Sequence, residues 1–194
     1  STLQLKGCEI TRNGVTNTDD STIIPNITAS DLPSEFRNNN GIGNTYVGGN
    51  SSIIVEAGTT ISGAGVWTTL EGTFLNLDLQ HFDSPANGQL RHIGNSPRDF
   101  EISAQMVIDG GANDSVSIKF RKWDDSASAF IELEYTTQTR VINNLQGGRD
   151  VAYFNILTGV TLDKNDYIYV QVRNNDDATN VTAELSSFFR LQER

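Results

Sequence analysis

The chain has 194 residues, of which 37% are hydrophobic and 8% aromatic, with a formal net charge of -10. That length suits one β-sandwich with a decorated N-terminus, or a small domain beside a larger one. The acidic balance argues against nucleic acid, since like charge repels a phosphate backbone, and no apolar run approaches the ~20 residues of a membrane span.

Gly numbers 17, Asn, Thr and Ser are abundant, and helical blocks rich in Ala, Leu, Lys and Glu are missing. Strands joined by many turns are expected. Leu3 and Leu5 share one parity, and Cys8 and Ile10 take the other across Gly7, as in a bulged strand. Ser30–Phe36 is the best helix candidate, with Ser30 as cap and Pro33 in the first turn. Gly48, Gly49 and Gly58 punctuate a strand from Ile53 to Glu56. A soft boundary falls at Gly58–Gly65. The segment before it has few core residues and reads as an arm that needs a neighbour to bury against.

Val66–Leu79 has mixed parity, which predicts two short strands or one with a bulge at Gly72; Gln89–Ile93 is another short strand. In Asp99–Ile108 the residues Phe100, Ile102, Ala104, Met106 and Ile108 share one face, the mark of a half-buried strand. Turn residues follow at 109–114. Val116, Ile118 and Phe120 then alternate with Ser117, Lys119 and Arg121, so the two strands are expected to form a hairpin. Ile131, Leu133 and Tyr135 alternate against Glu132 and Glu134. Val151–Leu157 is a more continuous apolar run, which predicts cover on both sides, and Thr158–Asn165 reads as turn. Ile168, Val170 and Val172 form the next inward face. After a turn at Asn174–Asp177, Val181, Ala183, Leu185, Phe189 and Leu191 share the last one. About eight strands with turn signals between them suggest a sandwich, barrel or jelly roll.

Signals of chemistry are sparse. His81 and His92 are the only histidines, and neither sits in a zinc-hydrolase spacing. No Gly-x-Ser-x-Gly elbow is present. The single cysteine, Cys8, rules out an intramolecular disulfide and a multi-cysteine zinc site, and it reads as a small hydrophobe. Gly41–Gly43 and Gly147–Gly148 do not complete a phosphate loop. The carboxylate pairs Asp19–Asp20, Asp124–Asp125 and Asp176–Asp177 read first as solvated turns; a glycosidase pair cannot be chosen among them. Asp109–Asp114 and Asp163–Asp166 are oxygen-rich enough to raise calcium but lack a full calcium-loop spacing. Trp67, beside Val66 and Leu70, is expected in the core. Trp123 ends an alternating strand and precedes Asp124 and Asp125, so this loop is the candidate ligand or interface site.

Trp67-Thr68-Thr69-Leu70-Glu71-Gly72-Thr73, then Phe82, then Asn87-Gly88-Gln89-Leu90-Arg91-His92-Ile93-Gly94 form a recognisable order. The strands to Ile108 and Phe120 and the segment Asp166–Asn175 continue it. This order resembles β-rich domains of phage structural proteins (tail fibres, head fibres, capsid decoration proteins), which are similar to the trimeric tumour-necrosis-factor-like jelly roll. The resemblance covers about two-thirds of the chain, from Ile61 to the end. It implies a homotrimer with a role in the virion, and it brings no catalytic residues.

The combined expectation is an all-β, antiparallel, jelly-roll-like β-sandwich over 61–194, with an extended N-terminal docking arm over 1–60. The chain is expected to be a non-enzymatic phage virion protein, made in the host cytoplasm, without cofactor or metal. Its partners would be its own copies and the capsid or tail. The alternative is a receptor- or glycan-binding tail-fibre tip, with Trp123, Asp124 and Asp125 meeting host surface glycan.

Overall fold

The computed structural model describes residues 10–12, 15–17, 47–145 and 149–194. The chain divides into two units, Ser1–Thr45 and Tyr46–Arg194. In the first, β1 (Ile10–Arg12) pairs antiparallel with β2 (Val15–Asn17). The predicted strand before Ile10, the helix at Ser30–Phe36 and Cys8 lie outside the described residues.

In the second unit the chain runs through β3 (Gly48–Val55), β4 (Gly58–Thr59), β5 (Thr68–Thr69), β6 (Thr73–Gln80), β7 (Phe82–Asp83) and β8 (Leu90–His92). It continues through β9 (Arg98–Asp109), β10 (Ser115–Asp124), β11 (Ala129–Glu132), β12 (Gln138–Val141) and β13 (Asn143–Leu145). The last strands are β14 (Arg149–Leu162), β15 (Tyr167–Asn174), β16 (Val181–Ala183) and β17 (Phe188–Glu193). One sheet has the order β11–β10–β15–β8–β7, with β12 also on β10 and β5 on β15. The other has the order β13–β14–β9–β17–β3–β6, and β16 pairs with both β4 and β9. The fold is therefore an all-β antiparallel sandwich of the jelly-roll kind.

Alternation drives the packing. Phe100, Ile102, Ala104, Met106 and Ile108 of β9 are all buried, as are Val116, Ile118 and Phe120 of β10. Rings meet across the sandwich: Phe120 on Phe189 at 5.4 Å, and Phe82 on Phe100 at 5.0 Å. Each such side chain contributes roughly 1.5–3 kcal/mol by leaving water. A turn locks the start of β6: the Phe74 amide donates to Asn87 Oδ1 at 2.9 Å, Asn87 Nδ2 donates to the Gly72 carbonyl, and Gly88 takes φ +71°. A Cβ at Gly88 would sit 2.9 Å from that ring, so the turn requires glycine.

Several sequence expectations need correction. β9 and β10 do not form a hairpin, because they lie in opposite sheets and pair with β14 and β15 respectively. Residues 110–114 are long enough to cross the ~10 Å between sheets, and alternation alone does not distinguish pairing from stacking. Residues 47–60, assigned to the arm, belong to the sandwich: β3 sits between β17 and β6, and Val47 and Ile53 are in the core. The predicted strand through Tyr135 stops at Glu132, where a 3-10 turn over Glu134–Thr136 buries Leu133 and exposes Tyr135. The turn expected at Thr158–Asn165 begins only after Leu162, because β14 stays paired with β9 to its end. The apolar run of β14 is covered on one face only. Leu185 is exposed in the turn between β16 and β17.

Candidate functional site

Residues directly opposite on neighbouring strands share a face. Register therefore sets Asp83, Arg91, Tyr167, Trp123 and Phe130 in one cross-strand row over β7, β8, β15, β10 and β11. Their strand neighbours Phe82, Leu90, His92 and Ile168 are buried in the sandwich, so the row faces outward. Trp123 stacks on Tyr167 at 6.1 Å and 17°, and meets Phe130 at 4.9 Å and 69°. Arg121, one row further, has its guanidinium 4.3 Å from the Phe130 centroid. At the other end Arg91 donates to both Asp83 oxygens, from Nε at 2.8 Å and Nη2 at 2.6 Å. That fork raises the Arg91 pKa above its ordinary value. Partial burial pushes the Tyr167 phenol up.

The predicted loop borders this row. Asp124 Oδ1 accepts from Ser126 Oγ at 2.7 Å and from the Ala127 amide at 2.9 Å, which holds its carboxyl below the usual range. Asp125 Oδ2 accepts from Asn165 Nδ2 at 3.1 Å. The structure thus brings Trp123, Asp124 and Asp125 to one end of the sheet, while giving both carboxylates turn-building partners. Behind them, Asp166 is fully buried. It accepts from Lys122 Nζ at 2.6 Å and from the amides of Asp125 and Asp163 at 3.0 and 2.9 Å. Lys122 also donates to the Thr161 carbonyl at 3.0 Å. This carboxylate, inside one of the oxygen-rich segments, is engaged by protein donors on both oxygens. In the other segment, Asp114 Oδ2 accepts from Asn174 Nδ2 at 2.7 Å. Among the described residues no group of three or more His, Cys, Asp and Glu side chains is placed to hold a metal ion.

Trp67 is not a core residue. It lies half-buried over the outward cations of β10 and β15, with Lys119 Nζ and Arg173 Cζ each 4.5 Å from its ring. Lys119 is also paired with Glu132 at 2.6 Å and Glu134 at 2.9 Å, and Arg121 with Glu132 at 2.6 Å. The Lys119 bond holds the Glu134 carboxyl below its ordinary value. These charges close on one another, which makes the patch a cover for the sheet. Sequence reasoning missed Tyr167, Phe130, Arg91 and Asp83 as companions of Trp123. The outward parity of Tyr167 was readable, but register between strands far apart in the chain was not.

The second sheet presents a different outer face. Register gives one row Leu157–Ser103–Arg190–Asn50–Leu77 and the next Asn155–Gln105–Phe188–Ser52–Leu75. Leu157 is 71% exposed and Tyr153, two residues earlier on β14, is 56% exposed. Leu75, Leu77 and Ile54 are exposed at the opposite side of the same face. The middle of both rows is mostly polar. No helix among the described residues is long and apolar enough to cross a membrane.

No protein-family model matches the chain. No curated protein matches it either. Solved structures do. The crystal structure of murine APRIL at pH 8.0 is similar at a TM-score of 0.53 and 8% identity, covering 77% of this chain and 99% of that one. The Eiger TNF of S. frugiperda is similar at 0.51 and 9%, covering 77% and 92%. At such identity the likeness is one of fold, and it gives the sandwich its type: a tumour-necrosis-factor-like jelly roll.

Proposed function

We propose that the chain is a structural subunit of a phage virion, a homotrimeric capsid decoration or fibre protein. The observation that carries the trimer is the outer face of the second sheet, where Leu157 and Tyr153 lie at one side and Leu75, Leu77 and Ile54 at the other. Two separate apolar patches on one face suit a heterologous contact, in which the first patch of one copy meets the second patch of the next and the ring closes. The polar middle rows then face the symmetry axis, where water can remain. The jelly-roll type supports three copies. The virion role is supported by the short motifs from Trp67 to Asn175 and by the separate N-terminal unit, which we assign to docking.

Sedimentation equilibrium tests the assembly: the chain is expected at three times its own mass, and Leu157→Asp or Leu77→Asp at the mass of one copy. A native chain that stays monomeric at every concentration overturns the trimer. Immunogold labelling or cryo-microscopy of particles tests the virion role separately, and absence from both head and tail rejects it.

A further inference from the structure

We propose that the row Asp83–Arg91–Tyr167–Trp123–Phe130 is a binding site for a neutral oligosaccharide chain. Five strands at about 4.8 Å spacing make the row roughly 19 Å long, which suits several linked sugar rings better than one. Three adjacent positions offer aromatic surface, with Tyr167 and Trp123 half-buried and Phe130 43% exposed. Aromatic faces take up the C–H faces of a pyranose, and phenol and indole edges add hydrogen bonds. The row ends in polar groups. The Arg91–Asp83 fork is still exposed by 34% and 39% of its side chains, so its outer N–H and oxygen sites can meet hydroxyls. The turn at Asp124–Ser128 supplies acceptors at the other border.

Charge selects the class of sugar. Asp124 and Asp125 border the site, Arg91 and Asp83 neutralise each other, Arg121 is matched by Glu132, and the whole chain carries -10. A sialylated, sulfated or uronic-acid polymer would be repelled, whereas neutral hydroxyls find donors and acceptors. The row lies on the sheet opposite the proposed subunit contact, so it stays open with or without assembly, and the two readings fail independently.

Trp123 is its own reporter. The chain has two tryptophans, and in a Trp67→Phe background Trp123 is the only one. Short oligomers of glucose, galactose, mannose and N-acetylglucosamine are titrated while its emission is followed. At least one should give a saturable change, and Tyr167→Ala and Phe130→Ser should each weaken its binding about tenfold or more, the size of a hot-spot truncation. Phe130 is exposed enough for its variant to fold, which a melting curve verifies. The proposal is overturned if no neutral oligomer changes the emission, if only heparin or hyaluronate does, or if the Phe130→Ser protein binds as tightly as its parent.

Discussion

His92 is fully buried between Phe82 and Phe100, with ring centroids at 5.5 and 5.3 Å. Nδ1 lies 3.2 Å from the Asp163 carbonyl oxygen, which suits a neutral ring donating from Nδ1. Nε2 is buried with no hydrogen-bond partner among the described residues. Burial lowers its pKa, Arg98 and His81 act in the same direction, and the Asp163 carbonyl and Asp166 oppose them. The consequence for stability has a definite sign. An unfolded imidazole titrates near ~6.5, and the folded one titrates lower. Between those two values the unfolded chain binds the proton and the folded chain does not. Stability is therefore full above pH ~6.5 and falls as the pH drops through the window below it. Melting temperatures taken from about pH 7.5 down to about pH 5 should decline, and His92→Phe, which keeps the aromatic cluster, should decline less. Parallel curves for the two proteins would refute this assignment. Nothing in the sequence marked His92 for this role beyond its place in a short apolar strand.

At the scale of elements, what alternation encodes is which face a residue takes, and what it omits is which strand lies alongside. The inward faces of β9, β10 and β15 were legible for that reason. The partners were not: β9 and β10 look like a hairpin in sequence because hairpin and crossover share the same turn chemistry. The outward faces of β10 and β15 also misled, since Lys119 and Gln171 are polar yet buried, and Lys119 lies under Trp67 and against Glu134 after β11. The candidate site was legible at Trp123 only, where an aromatic residue stands next to two carboxylates. β3 shows a further limit. Gly48 and Gly49 read as punctuation, but both are paired with β17 in mid-sheet. A Cβ at Gly49 would lie 3.0 Å from Leu79 Cδ2 and 3.4 Å from Leu90 Cδ2, so the glycine lets the two layers close. Gly49→Val should cost about 1–3 kcal/mol by overpacking, read as a lower denaturation midpoint with an unchanged m-value. A midpoint equal to that of the native chain would show that Leu79 yields freely.

For the whole molecule, the proposed trimer has to form from an acidic chain. Each copy carries -10, so bringing three together is opposed by like charge, and what favours it is the apolar area at Leu157, Tyr153, Leu75, Leu77 and Ile54. The two terms respond differently to salt. Repulsion between exposed charges is screened over about 10 Å at 0.1 M ionic strength and over about 30 Å at 0.01 M, while apolar contact is not weakened. Raising the ionic strength from about 0.01 M to about 0.1 M should therefore tighten assembly, and the melting temperature should rise with protein concentration, because folding is linked to association. Leu157→Asp removes apolar area and adds charge to the same contact, so its melting temperature should lose the dependence on concentration. Sedimentation at the two ionic strengths checks the first expectation and a dilution series of melts the second. Assembly that loosens as salt is added would mean that ion pairs hold the copies together, and the two apolar patches would then need another occupant.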